Sequence, residues 1–116
     1  MWKPISLAKL SAMMRVELVD CAPELRAIYA NTRIPPEKWT QQPWGDEGGG
    51  FWALAVHGDR VLWYNDIEAG FNVSPFSRWG EIGDYVCNQD ELQRALPRLV
   101  GELGVRANAL EQMPSS

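Results

Sequence analysis

The segment from Phe51 to Ile67 constrains this chain more than any other. Phe51 to His57 is dense in apolar and aromatic residues, Gly58-Asp59 can form a two-residue turn, and Arg60 to Ile67 returns with the same character. Such a pair of runs predicts a β-hairpin. A regular register places Val56 opposite Val61, Leu54 opposite Trp63 and Trp52 opposite Asn65 on one face. The other face then carries Phe51, Ala53, Ala55, Leu62, Tyr64 and Asp66. Both faces are largely apolar, so the hairpin is expected at the centre of a sheet, covered at least in part on both sides.

The flanking segments supply the cover. Ser6 can cap a first helix, in which Leu7, Leu10, Met14 and Leu18 recur at helical spacing. Pro23 suits the first turn of a second helix with Leu25, Ile28 and Tyr29 as its apolar stripe; it must stop before Ile34 because Pro35-Pro36 cannot continue it. Residues 35–50 hold Pro35, Pro36, Pro43 and Gly48-Gly49-Gly50 and read as a long loop. After the hairpin, Phe71 to Phe76 reads as a short strand that Pro75 confines to an edge or ends, and Glu81 to Cys87 as a further strand. Asn88 with Glu91 has the spacing of a capping box, followed by the stripe Leu92, Leu96, Leu99, Val100 and Leu103. Pro97 should kink that helix or begin a fresh turn, and Gly104 should stop it, leaving 108–116 as a frayed tail. The expected fold class is α+β: two N-terminal helices, an antiparallel meander of three to four strands, and a C-terminal helix packed on the sheet, as one domain over 1–107. A length of 116 residues and a hydrophobic fraction of 46% suit one packed core.

Charge narrows the partners. The net charge is -4, but between Asp46 and Glu91 nine acids face only Arg60 and Arg78. That balance disfavours nucleic acid and favours a basic protein surface or a cation, unless the middle is simply a solvated acidic face. No apolar run approaches the ~20 residues of a membrane helix. The N-terminal apolar stretch is interrupted by Lys9 without a clear cleavage site. The expectation is a cytoplasmic protein with no membrane partner. With one histidine and the distant Cys21 and Cys87, a thiolate zinc site lacks ligands; both are expected to be buried thiols, a Cys21–Cys87 bridge being the alternative that nothing local argues for, and no cofactor is expected.

Candidate sites concentrate around the hairpin. Asp66 and Glu68 share a face if the strand continues, and paired carboxylates serve acid–base chemistry or hold a metal. Alternatively, Asn65, Asp66 and Asn72 bond the backbone of a turn. His57 precedes the hairpin turn and has no cysteine or serine partner evident in sequence. Gly48-Gly49-Gly50 precedes a strand and lacks the Lys-Ser/Thr of a phosphate loop, so it reads as flexible backbone or a close approach of chains. There are six tryptophans. Trp52 and Trp63 are assigned to the core. Trp39, Trp44 and Trp79 fall in loop-like stretches near acids, where they either pin the loop or anchor a partner's cationic side chains.

The strings Trp44-Gly45-Asp46-Glu47-Gly48-Gly49-Gly50-Phe51-Trp52, Trp63-Tyr64-Asn65-Asp66-Ile67-Glu68, Gly70-Phe71-Asn72 and Cys87-Asn88-Gln89-Asp90-Glu91-Leu92 resemble those of a group of short, uncharacterised bacterial proteins. In size, acidity and layout the chain also resembles bacterial toxin-immunity proteins. The first group implies no particular activity, so no catalytic residues are carried over; the second likeness is one of architecture, and the acidic, Trp-rich middle is what points to a binding role. The leading expectation is therefore a non-enzymatic protein-binding module, an immunity-type inhibitor of a basic toxin, with Trp44, Asp46, Glu47, Asp66, Glu68 and Trp79 at the interface. The rivals are an enzyme or small-ligand binder using Asp66, Glu68, His57 and Tyr64, and a homo-oligomeric structural protein. Monomer and homodimer both remain open.

Overall fold

The computed structural model describes residues 3–41 and 49–111, with side chains as far as Gly101. The order is α1 (Leu7–Asp20), α2 (Pro23–Thr32), β1 (Arg33–Trp39), β2 (Phe51–His57), β3 (Arg60–Asn65), β4 (Gly70–Pro75) and α3 (Leu92–Glu111). The strands form one antiparallel sheet in the order β1-β2-β3-β4. The fold is α+β, with two helices before the meander and one after it, packed on the sheet.

The helices start where local chemistry places them. The Ser6 hydroxyl accepts from the Lys9 N–H at 3.2 Å, satisfying a donor that α1 itself leaves unpaired. Pro23 occupies the first turn of α2, where its missing N–H costs nothing. The start of α3 departs from expectation. Asn88 does not cap it: the helix starts beyond its reach, and the Asn88 backbone is held by the Asn72 side chain, the Asn88 N–H donating to Oδ1 at 3.0 Å and the Asn88 carbonyl accepting from Nδ2 at 3.1 Å. The helix begins instead at Leu92, with the Glu91 carbonyl accepting from Arg94 and Ala95. Pro97 lies within it, and the break falls at Gly101, at φ 77°, not at Gly104.

Three sheet expectations also change. Arg33 to Trp39 is a strand despite Pro35-Pro36: it is an edge strand, and its pairing with β2 shifts between Arg33 and Glu37, so neither proline is asked for a ladder hydrogen bond. The central hairpin keeps Val56 opposite Val61, but its register shifts between Ala53 and Ala55. Beyond that irregularity Ala53, not Leu54, faces Trp63, and Trp52 faces Tyr64. The shift exchanges faces: Leu54 joins Ala55, Leu62 and Tyr64 in one core, while Phe51 and Ala53 join Val61 and Trp63 in the other. Finally, Glu81 to Cys87 forms no strand; only isolated bridges touch it, at Glu81.

The sheet is covered on both faces. On one side Leu10, Met14, Leu92, Ala95, Leu96 and Leu99 of the helices bury Leu54, Leu62 and Phe71. On the other, Trp39, Phe51, Ala53, Val61 and Trp63 lie beneath Ile82 with Phe76, Tyr85 and Val86. This second cover is an irregular strap, residues 76–91. Because it has no ladder of its own, side chains of the sheet hold its backbone. Asn65 Nδ2 donates to the Val86 carbonyl at 3.0 Å, and Ser74 Oγ donates to that of Asp84 at 2.7 Å while accepting from Trp63 Nε1 at 2.9 Å. A Cβ on Gly70 would stand 2.3 Å from the Asn88 carbonyl oxygen, so only glycine lets the strap approach there. Cys87 on this strap is exposed, because the strap is held through its backbone and the thiol faces away; Cys21 is buried, and both are free. Among the described residues no helix is long and apolar enough to cross a membrane.

Candidate functional site

The described members of the expected acidic–aromatic patch do not form one surface. Trp44, Asp46 and Glu47 lie outside the described residues. Trp39 and Trp63 are fully buried on the strap side of the sheet, and Trp52 is half-buried on the helix side. Asp66 serves the N-terminal segment: its Oδ2 accepts from the Ile5 N–H at 2.6 Å, while Trp52 Nε1 donates to the Ile5 carbonyl at 3.0 Å. This fastens Ile5 over the helix-side core. Glu68 sits half-buried in the β3–β4 turn, where Asn65 Oδ1 accepts from the Ile67 and Glu68 N–H groups, an Asx turn. Trp79 lies on the strap, across the sheet from Asp66.

The acid–base group is likewise dispersed. His57 pairs with Arg60 at the hairpin turn, whereas Asp66 follows the far end of β3. Five residue steps of strand separate these ends, roughly 17 Å at ~3.3 Å per residue. Tyr64 is buried among the helices, where burial first, then the charges of Asp66 and Glu17, push its hydroxyl pKa upward. Among the described residues no group of three His, Cys, Asp or Glu side chains gathers where it could hold a metal ion.

What the structure does assemble is a mount for Trp79. Its indole is 56% exposed, the most exposed aromatic ring among the described residues. Even so, its orientation is held on two sides. Nε1 donates to Glu37 Oε1 at 2.6 Å, and the same oxygen accepts from Trp39 Nε1 at 2.7 Å. The Trp79 ring lies 5.1 Å from that of Trp39 and 6.1 Å, edge-on, from that of Phe76. One carboxylate oxygen thus orients two indoles through short charge-assisted bonds. Trp39 belongs to the core, so the mount is rooted in it. The strap completes the site: the Thr40 N–H donates to the Gly80 carbonyl at 2.9 Å, and Ile82 N–H donates to the Thr40 carbonyl at 2.8 Å. Glu81, whose backbone is bridged to that of Arg78, and Asp84 both stand exposed on the strap.

Glu37 and Phe76 are the participants that sequence reasoning missed. Glu37 and Trp39 are two apart and share a face once the segment is extended, but Pro35-Pro36 concealed the strand. Comparison with protein-family models, curated proteins and solved structures finds no match to the chain, so the reading of this site rests on its own geometry.

Proposed function

We propose that the chain is a non-enzymatic protein-binding module that presents Trp79 as an anchor to a partner with a basic surface. The observation that carries this reading is the mounted indole: Trp79 is more than half exposed yet fixed by Glu37, Trp39 and Phe76. An exposed tryptophan already held in one orientation has little freedom left to lose on binding, a cost of about 0.5–1.5 kcal/mol for a side chain that must be immobilised. Its own N–H is satisfied within the chain, which leaves the ring to supply apolar and cation–π contact. Glu37 holds the ring itself and Glu81, two positions on, is exposed, against the strap's single cation Arg78, whose backbone bridges to that of Glu81, which supports a cationic partner. An immunity-type inhibitor of a basic toxin is the narrower form of this reading.

The test compares capture by the wild-type chain and by Trp79→Ala from a lysate of the cells that produce it, at low and at raised salt. A specific partner should be retained by the wild type, weakened by salt, and lost by roughly tenfold or more with Trp79→Ala, the scale of an interface anchor. A partner held equally well by Trp79→Ala overturns the reading.

A further inference from the structure

Beside the Trp79 mount lies a cleft of about 300 Å³ lined by Thr40, Gln41, Glu81, Ile82 and Gly83. It is at the lower limit of small-molecule sites and is matched better by a single side chain. Its chemistry is one-sided. Gln41 is only 7% exposed, and its Oε1 is buried without a hydrogen-bond partner among the described residues. Glu81 is an exposed carboxylate on the same cleft, and none of the described lining residues carries a positive charge. Thr40 Oγ1 is already turned to the Gly80 carbonyl at 3.4 Å. Among the described lining side chains the cleft thus offers a buried acceptor and a carboxylate, with the Gln41 NH2 as a donor and no cation. A buried acceptor left unsatisfied is costly, so a ligand that brings N–H groups is favoured there over one that does not.

We propose that this cleft is a docking slot for an arginine side chain of the partner; the proposal rests on the protein-binding reading above and names the chemistry that its site recognises. A guanidinium carries five donors in a planar fork and no acceptor, so it can bond Gln41 Oε1 and the Glu81 carboxylate together. Trp79 does not line the cleft itself; it precedes Gly80, which is bonded to Thr40, and in this proposal its exposed ring is the flat surface on which the arginine stem stacks as it enters. An ammonium offers a point charge without that fork, and a neutral isostere offers no charge for Glu81.

The experiment is an NMR titration of the full ¹⁵N-labelled chain with N-acetyl-arginine amide, N-acetyl-lysine amide and N-acetyl-citrulline amide, the last keeping the shape without the charge. The arginine probe should give saturable shifts at the Trp79 indole N–H and the Gln41 side-chain amide, and should bind roughly fivefold or more tightly than the other two. Gln41→Leu and Glu81→Gln should each weaken it by a similar roughly fivefold factor. Gln41→Glu keeps an acceptor and adds charge, so it should retain or tighten binding, which guards against a folding defect in the leucine variant. Absence of saturable shifts at Gln41, equal binding of citrulline or lysine, or an unaffected Gln41→Leu overturns the slot. If capture of the protein partner is lost with Trp79→Ala but untouched by Gln41→Leu and Glu81→Gln, the slot fails and the module stands. If the arginine probe binds as expected while Trp79→Ala still captures the partner, the module reading fails and the slot stands.

Discussion

On its helix side the sheet is buried by Leu10, Met14, Leu92, Leu96 and Leu99, whose backbones are satisfied within their own helices. On its strap side, Trp39, Phe51 and Trp63 are buried by residues 76–91, which form no helix or strand of their own and meet the sheet backbone at isolated points such as the Gly83 N–H to the Pro75 carbonyl. The difference shows in the polar residues. The strap side needs Asn65, Asn72 and Ser74, all buried, as surrogate ladder partners for the strap backbone. The helix side stands on apolar area; the strap side combines aromatic area with side-chain hydrogen bonds, and each such bond ties closure to one particular residue. A cover built in this way can carry a surface feature such as Trp79, because no regular element dictates the direction of its side chains.

The comparison can be broken by substitution. Leu96→Ala on the helix side should have the largest effect, about 3 kcal/mol of stability lost through transfer and cavity terms. Urea denaturation measures it, and unfolding should remain cooperative because the helices share one core with the sheet. A loss below about 1 kcal/mol would mean that the helix-side core collapses easily around the gap.

Asn72→Ala should follow, at about 1–3 kcal/mol, the range for groups left unsatisfied in the interior. It removes two donor bonds, to Gly70 and Asn88, and the acceptor of the Asn88 N–H. Its signature should be local. Hydrogen exchange at the Asn88 amide should accelerate more than at amides of α1. Equal acceleration at both places would show that the two covers open as one unit, contrary to the distinction drawn between them.

The smallest effect concerns charge on the helix side. Burial first, then the neighbouring Glu91 carboxylate, raises the Glu17 pKa; the Leu92 N–H opposes this, and Asp20 adds to it. A carboxyl with a raised folded-state pKa favours folding while protonated, and that contribution is lost as the pH rises through the folded value. Glu17→Gln should therefore be slightly more stable than the wild type near pH 7, with the gain vanishing below the ordinary carboxylate range. Thermal midpoints measured against pH check the sign; a gain that persists at low pH would point to packing in place of charge.

Much of the helix side was legible beforehand. Ser6, Pro23 and the stripe Leu10, Met14, Leu92, Leu96 and Leu99 announce helices through caps and spacing that act within a few residues. The strap side was read less well. Glu81 to Cys87 has the composition of a strand, but the Asn65 and Ser74 side chains hold its backbone, and Asn72 that of the next residue, where a ladder would otherwise be needed. Of the expected interface residues, Trp79 is displayed and Asp66 is turned to Ile5, a contact across 61 positions that no local pattern encodes.

The amino-acid order alone determined the hairpin, its Gly58-Asp59 turn, the helix starts at Ser6 and Pro23 and the α+β class, because these follow from interactions between near neighbours in the chain. Only the tertiary structure decided the register shift at Leu54, the strand carrying Pro35-Pro36, and the Glu37 carboxylate shared by Trp39 and Trp79. Those outcomes depend on which distant backbone or side chain arrives to satisfy a polar group or to leave room. That choice is made when the sheet, helices and strap close on one another.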